Sequence, residues 1–160
     1  MIRNDTDYAL RMMVHLAEEL PRRLTASELS ALSGGSRGFA QKILRKLAGA
    51  GILNVRPGRR GGFHLNGLPG KVSLMDVIMA IQGPLLLNRC MSGPGACIRQ
   101  PSCRISASLK GFQDKLEAFF CGTSLSDILG KTGGPVAKTA NRSRHQGAGN
   151  AACEAAGEET

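Results

Sequence analysis

The chain has 160 residues, 42% of them hydrophobic, and a formal net charge of +9. This length and composition suit one domain with a modest core plus appendages. The positive charge favours a polyanionic partner, nucleic acid before an anionic membrane. Charged residues interrupt the apolar ones near the N-terminus, and no apolar run of about 18 residues occurs. We therefore expect neither a signal peptide nor a spanning helix, and we predict a cytoplasmic protein with reduced cysteines.

Two helices are predicted at the start of the chain. The first covers residues 4–20, whose apolar side chains recur on one stripe at helical spacing. The second begins after Thr25, a good N-cap, and Glu28 completes a capping box three residues later. We expect Leu29 and Leu32 of this helix to face inward.

A third, strongly basic helix follows the glycine turn at residues 34–35. Ser36 is its predicted N-cap, and the apolar spacing predicts a buried row of Phe39, Ile43 and Leu47. Two helices joined by a tight glycine turn, the second of them basic, are typical of a helix-turn-helix.

The segment after the third helix is predicted to form a β-hairpin. Residues 52–56 and 63–65 suit strands, and the sequence PGRRGG between them suits a hairpin tip, which makes a wing. Residues 34–62 hold seven Lys or Arg and no Asp or Glu. On this helix and its adjoining hairpin, basic charge is thus segregated from acidic charge.

This charge pattern predicts binding to duplex DNA, against the simpler interpretation of a solvated basic face. Arg37 and Gln41 are the candidate base readers, because Arg pairs bidentately with guanine and Gln with adenine. The other basic residues suit phosphates or, in the wing, a narrow minor groove. The candidate DNA-binding residues are Ser36, Arg37, Gln41, Lys42, Arg45, Lys46, Arg56, Arg59 and Arg60.

A loop with three cysteines follows a fourth helix, which Ser73 and Asp76 are predicted to cap. Cys90, Cys97 and Cys103 have the spacing C-x6-C-x5-C, and Gly and Pro residues among them disfavour regular structure. Converging thiolates suit an iron–sulfur cluster, zinc or copper(I), and the spacing alone does not choose among these. Three unrelated reduced cysteines are the alternative.

A long helix after the cysteine loop carries an apolar seam with spacings of 4, 3, 4 and 3 residues. Two heptads suit a helix that packs against a symmetry mate or against its own domain. The seam residues, which we predict to form a dimer interface, are Ile105, Leu109, Phe112, Leu116 and Phe119. A short closing helix is predicted after them.

Residues 131–160 contain too few apolar side chains to fold, so we predict a disordered tail.

The order of these motifs resembles the Rrf-two superfamily of transcription regulators, which includes the iron–sulfur regulators IscR, NsrR and RirA. The resemblance rests on TDYALRMMVHLA, GILNVRPGRRGGFHL, VSLMDVIMAIQG and the cysteine loop, and covers about residues 1–130. It implies a mainly α fold with a small β-hairpin wing: a winged helix-turn-helix plus a long dimerisation helix. It also implies a homodimer that binds palindromic promoter sites, most commonly as a repressor.

The resemblance further implies that Cys90, Cys97 and Cys103 are ligands of a [2Fe-2S] or [4Fe-4S] cluster. The histidine that IscR-like members use as fourth ligand is replaced here by Ser106. NsrR-like members use an aspartate of the first helix, donated by the other subunit, and Asp7 matches that position. We therefore expect Asp7 to be the fourth ligand. Its simpler role is an acidic residue in the first helical turn.

These observations divide the chain into four parts. Residues 1–84 are the predicted DNA-binding domain, 85–104 the cluster loop, 105–130 the dimerisation and closing helices, and 131–160 the tail. The predicted function is a regulator whose DNA affinity a redox-, nitric oxide- or iron-responsive cluster controls. The alternative is a cluster-free DNA-binding dimer, either constitutive or switched by cysteine oxidation. No nucleophile set, Walker loop or dinucleotide motif occurs, so we expect no enzyme, no small-molecule substrate and no membrane partner.

Overall fold

The computed structural model describes residues 1–58, 60–93 and 95–130. Six α-helices and one two-stranded antiparallel hairpin account for most of this part of the chain. The helices are α1 (Asn4–Glu18), α2 (Ala26–Ser33), α3 (Arg37–Gly49), α4 (Leu74–Gln82), α5 (Arg104–Gly122) and α6 (Leu125–Leu129). The strands are β1 (Leu53–Arg56) and β2 (Gly62–Leu65), and short 3-10 turns span Pro69–Lys71, Arg89–Met91 and Gln100–Ser102.

The predicted fold class, mainly α with a small β-hairpin wing, is confirmed. Helix α1 ends two residues earlier than predicted, at Glu18. The predicted tail, residues 131–160, lies outside the described residues. Within the described ranges, no helix combines the length and the apolar character that crossing a membrane requires.

The main core lies where α1, α2, α3 and the hairpin meet. Helix α1 contributes the apolar stripe that its sequence predicts, including Met12, Met13 and Leu16, all fully buried. Helix α3 contributes Ile43, Leu44 and Leu47, and Phe39 lies at the margin of this core, only partly buried. Burying this many large aliphatic side chains at about 25 cal/mol per Å² is the main force that assembles the domain.

The structure corrects one orientation in α2. Leu29 is buried as predicted, but Leu32 is 52% exposed and was wrongly expected to face inward. Ser30 and Ser33 occupy the buried side of the helix instead. Small side chains at a helix interface allow close approach of the neighbouring helix, so apolar spacing alone misassigned this face.

The wing is a sheet of β1 and β2 that a third segment extends. Leu53 pairs with Leu65 and Arg56 with Gly62 in the antiparallel register. Leu24, between α1 and α2, forms an isolated antiparallel bridge to Phe63. The hairpin base is therefore attached to the helical core through backbone hydrogen bonds.

Helix α6 folds back onto the first helices. Leu125 is fully buried in the main core, and Ser124 forms a backbone bridge with Ser73. Both serines are N-caps of helices with complete capping boxes. The segment after α5 therefore contributes to the main core beside the first helices.

Helix α5 packs against α4 through a second, smaller core of Met75, Ile78 and Leu85. The buried side chain of Gln113 fastens the chain that leads into the cysteine loop. Its amide oxygen accepts from Leu87 N at 2.9 Å, and its amide nitrogen donates to the carbonyl oxygen of Leu85. The start of the loop is thus anchored to the middle of α5.

Candidate DNA-binding surface and cysteine loop

Helix α3 presents a basic face away from the core. Ser36 caps it, with its hydroxyl oxygen 3.3 Å from the backbone nitrogen of Phe39. Arg37, Lys42 and Arg45 are exposed. None of these three cations forms an ion pair with a carboxylate of the described residues. Their charge is therefore available to an external anion such as a DNA phosphate.

Gln41 lies beside these cations and is partly exposed. It follows Arg37 by four residues, so the two side chains lie on neighbouring turns of the same helix face. An arginine and a glutamine side by side on an exposed helix offer donor and acceptor groups of the kind that pair with base edges in a major groove.

Lys46 differs from the other basic residues of α3. Its ammonium group donates a hydrogen bond of 3.0 Å to the carbonyl oxygen of Ile81, near the end of α4. Arg3 Nη2 lies 3.4 Å from the same oxygen. Lys46 is exposed at the surface, and its ammonium group is directed towards the end of α4.

An ion pair lies beside this contact. Arg3 Nη2 is 2.7 Å from Asp5 Oδ2, and the hydrogen bond from Arg3 is the main reason why the pKa of Asp5 lies below its usual value. The positive charge of Lys46 acts in the same direction. The negative charge of Asp5 near the start of α1 is thus compensated by the positive charges of Arg3 and Lys46.

Sequence reasoning missed the contact between α1 and the helix-turn-helix turn. The Tyr8 hydroxyl donates to the Gly34 carbonyl at 3.4 Å, and its ring meets the Phe39 ring edge-on with centroids 5.4 Å apart. A Cβ on Gly35 would lie 3.3 Å from the Tyr8 ring. The only sequence signal for this contact is the lone tyrosine itself, whose partners lie some 26 to 31 residues away.

The wing carries the other predicted DNA contacts. Arg56, at the end of β1, and Arg60, in the tip, are both exposed. Arg59 lies outside the described residues. The structure therefore describes two of the three wing arginines that are predicted to contact DNA.

The three loop cysteines line one cavity. Cys90 is buried, Cys97 and Cys103 are partly buried, and all three are free thiols. They border a cavity of about 260 Å³ between the loop and the start of α5, which Ile105, Ser106 and Leu109 also line. The structure thus brings together the three thiols that the sequence singled out.

Two contacts hold this loop. The sulfur of Cys103 caps α5, accepting from the backbone N–H of Ser106 at 3.4 Å. Gln100 Nε2 donates to the Cys90 carbonyl at 3.1 Å and ties the two ends of the loop together. Cys103 therefore has a structural role as well as its predicted ligand role.

A complete ligand set is not assembled in the described part of this single chain. No three His, Cys, Asp or Glu side chains there are arranged to hold a metal ion. Asp7 pairs with Arg11, Oδ2 to Nη2 at 2.9 Å, and does not border the cysteine cavity. The three thiols thus have donor chemistry that suits a soft metal, but the described part of the chain does not arrange them as a metal-binding group.

The seam of α5 divides into two sets of residues. Leu109 and Leu116 are partly buried, and Leu116 packs against the second core. The remaining three, spaced seven residues apart, stay on the outer face, where their exposed fractions are 70% for Ile105, 57% for Phe112 and 48% for Phe119. Large apolar side chains in such a row are the usual mark of an interaction surface.

The Rrf2 family model, described as an iron-dependent transcriptional regulator, matches residues 2–131. An rrf2-like HTH-type transcriptional regulator of Rhodobacter capsulatus is 31% identical over 150 residues, covering 86% of this chain and 97% of the relative. An HTH-type transcriptional regulator of Aquifex aeolicus is 26% identical over 132 residues, covering 81% and 92%.

Solved structures share the fold at lower identity. CymR, the global cysteine regulator of B. subtilis, has a TM-score of 0.64 at 20% identity, covering 81% of this chain and 96% of its own. IscR of T. potens has a TM-score of 0.66 at 17% identity, covering 81% and 86%. The family and the relatives are regulators rather than enzymes. The chain belongs to the Rrf2 family, and it is a DNA-binding transcriptional regulator.

Proposed function

We propose that this regulator binds palindromic promoter sites as a cytoplasmic homodimer and that an iron–sulfur cluster at the cysteine loop controls its DNA affinity. Repression is the output that we infer. The single observation that carries the sensing part is that Cys90, Cys97 and Cys103 border one cavity next to α5.

For DNA binding, α3 is the proposed recognition helix. Arg37 and Gln41 are the proposed base readers, because their side chains share an exposed face near the capped end of the helix. Lys42 and Arg45 are proposed phosphate contacts, supported by their exposure and their lack of internal ion pairs among the described residues. The wing arginines are the proposed contacts to a neighbouring groove.

For dimer formation, the exposed row on α5 is the proposed contact. Ile105, Phe112 and Phe119 recur every seven residues, so the same row on a second copy can pack against it. Half-sites in a palindrome require two recognition helices at a fixed separation, which such an interface supplies.

For sensing, Cys90, Cys97 and Cys103 are the proposed thiolate ligands, and Asp7 of the other subunit is the proposed fourth. Three soft thiolates suit iron–sulfur chemistry, and a single carboxylate is a weaker ligand that leaves the group open to oxidants, nitric oxide or iron loss. Asp7 is half-exposed in this chain, and among the described residues its side chain forms a surface pair with Arg11, so it is accessible to a neighbouring subunit.

The regulatory step is a change in the separation of the two recognition helices. The cysteine loop leads directly into α5, so a change in the loop acts on the helix that carries the dimer contact. A small shift of α5 alters the distance between the two α3 helices. Binding to paired half-sites depends on that distance.

A second candidate is a cluster-free dimer that is constitutive or switched by cysteine oxidation. It is favoured by the three free thiols and by the lack of a complete metal-ligand group within the described ranges. In that case the thiols form a disulfide when an external oxidant accepts the two electrons released.

The deciding experiment is anaerobic purification of the wild type and of Cys97→Ala, with visible spectra and assays of iron and acid-labile sulfide. A brown wild type with near-stoichiometric sulfide, and a colourless variant, support the cluster. A colourless wild type that also fails reconstitution supports the thiol-switched or constitutive dimer.

The fourth ligand has its own matched comparison. Asp7→Ala should accelerate loss of the cluster in air, whereas Glu19→Ala should not, although both substitutions remove a surface ion pair. Equal cluster lifetimes in the two variants would remove Asp7 from the ligand set.

Base reading by α3 is tested with Arg37→Ala. A lost bidentate contact should weaken binding to the preferred duplex by about 1–3 kcal/mol while leaving binding to unrelated duplexes nearly unchanged. An equal loss for every sequence would assign Arg37 to the phosphate backbone instead.

A further inference from the structure

Among the basic residues of α3, Lys46 alone has its charged group hydrogen-bonded to another helix of the described structure, although the residue itself is exposed. Its ammonium nitrogen lies 3.0 Å from the Ile81 carbonyl oxygen. That oxygen belongs to the last turn of α4, where carbonyls lack partners within the helix and carry the negative end of the helix dipole. A lysine directed at it is therefore both hydrogen-bonded and electrostatically favoured.

The same helix end also holds the start of α1. Arg3 Nη2 approaches the Ile81 oxygen at 3.4 Å, and the neighbouring Gln82 side chain accepts from Arg3 N at 2.9 Å and from the Thr6 hydroxyl at 2.7 Å. We call the contacts of Arg3, Thr6, Lys46, Ile81 and Gln82 the α4 junction. At this junction, hydrogen bonds join α1, α3 and α4 in addition to their apolar packing.

We infer that Lys46 is a positioning residue, which fixes the recognition helix on the α4 junction, and not a phosphate contact. The inference rests on α3 being the DNA-reading helix, as in the proposed function, and is independent of any cluster. Lys46 follows Lys42 by four residues on the helix, so the two lysines are near neighbours with different roles: Lys42 has no internal partner among the described residues, whereas Lys46 does.

The two roles make different predictions for the salt dependence of binding. Each phosphate contact releases counterions and contributes about 0.9 to the slope of log K against log salt concentration. Removing a positioning residue leaves that slope unchanged, because no counterion is released at its site. It instead lowers discrimination between sequences, because the base readers of α3 lose their fixed orientation.

The experiment uses the full chain in reducing buffer and a duplex that the wild type selects from a random library, with a shuffled duplex as reference. Lys46→Met and the matched control Lys42→Met are each titrated across a range of salt concentrations. Thermal melting confirms that both variants are folded. If the wild type selects no sequence at all, sequence-specific DNA binding itself fails, an outcome distinct from any result on Lys46.

We expect Lys42→Met to lower the slope by about 0.9 on both duplexes. Lys46→Met should keep the wild-type slope and lose roughly two- to fivefold in preference for the selected duplex, the range expected for one contact to a helix end. Gln82→Ala should keep the wild-type preference, because the Gln82 side chain hydrogen-bonds to Met1, Arg3 and Thr6 and leaves the Lys46–Ile81 contact in place. A slope lowered by Lys46→Met, or an unchanged preference in Lys46→Met, would overturn the inference.

Discussion

The backbones of Leu24 and Phe63 exchange two hydrogen bonds, Leu24 N to Phe63 O at 3.1 Å and Phe63 N to Leu24 O at 2.8 Å. This pair attaches the wing to the segment between α1 and α2. The orientation of the wing arginines relative to α3 is therefore set at the hairpin base, and the residue just before Phe63 determines how closely the strands approach.

Gly62→Ala should detach the wing from this segment. A Cβ at Gly62 would lie 2.8 Å from the Leu24 carbonyl oxygen, and the glycine has φ +151°. The control is Gly67→Ala, where φ is +114° but nothing lies within 4 Å of the added atom. Both variants carry the backbone penalty of positive φ, and only Gly62→Ala adds the clash.

We expect Gly62→Ala to lower the denaturation midpoint more than Gly67→Ala and to weaken DNA binding, as followed by urea unfolding and fluorescence anisotropy. Equal midpoints in the two variants would show that the contact with Leu24 does not matter.

Replacing Gln113 should loosen the entry to the cysteine loop. Gln113→Leu leaves the partly buried Leu87 N–H and the buried Leu85 carbonyl without their side-chain partner, and an unpaired buried group costs about 1–3 kcal/mol. Urea unfolding measures the loss. The control, Lys110→Ala, removes only an exposed pair with Asp114 and should change the free energy of unfolding by less than about 0.5 kcal/mol. A Gln113→Leu variant as stable as that control would contradict the anchoring role.

The two sets of seam residues should respond differently to substitution. Phe112→Ser should abolish the proposed dimer with little effect on the fold of one subunit, because the ring is exposed there. Leu116→Ala should instead cost roughly 1–2 kcal/mol of subunit stability, about half the value for a fully buried leucine. Sedimentation equilibrium and urea unfolding separate the two effects. A Phe112→Ser protein with the same mass as the wild type in solution would exclude this row as the dimer contact.

The capping box of α2 predicts a pH dependence of stability. Hydrogen bonds from the Thr25 backbone and hydroxyl, and the charge of Arg22, hold the pKa of Glu28 below its usual value of 4.5. A carboxyl whose pKa is lower in the folded state stabilises the protein above the unfolded-state pKa. That contribution is lost as the pH falls through the folded-state pKa.

Glu28→Gln should therefore be less stable than the wild type at neutral pH by about 0.3–1 kcal/mol, the range for a carboxylate in an exposed first turn. The difference should shrink as the pH falls below 4.5. Urea unfolding between neutral and acid pH follows it, with Asp114→Asn as a carboxylate control outside a first turn. A difference that grows in acid would contradict this sign.

Several elements could be predicted because their causes are local in sequence. The Thr25 and Glu28 box, and the Ser36 cap, join residues three apart, so the letters alone specify them. The same holds for the apolar stripe of α1, whose period is that of the helix itself. The segregation of basic from acidic residues on α3 and the wing was also visible without coordinates.

Other features depend on how distant segments pack. The partner of Lys46 is 35 residues away, and no spacing rule relates the two positions. Leu32 is exposed because Ser30 and Ser33 face the neighbouring helices in its place. The distance between the helices, and not the spacing of apolar residues in α2, sets which side of the helix is buried. The three cysteines share a cavity because Gln113 and Gln100 bring the loop against α5.

Hydrogen bonds and periodicities between near neighbours encode the helices, their caps, the wing and the residue types available to DNA and to a metal, so the order of the residues was enough to predict them. Packing between distant segments sets which lysine of α3 contacts α4 and which seam residues on α5 are left exposed. Those outcomes depend on the relative orientation of helices that lie far apart in the chain, which burial of the common core sets.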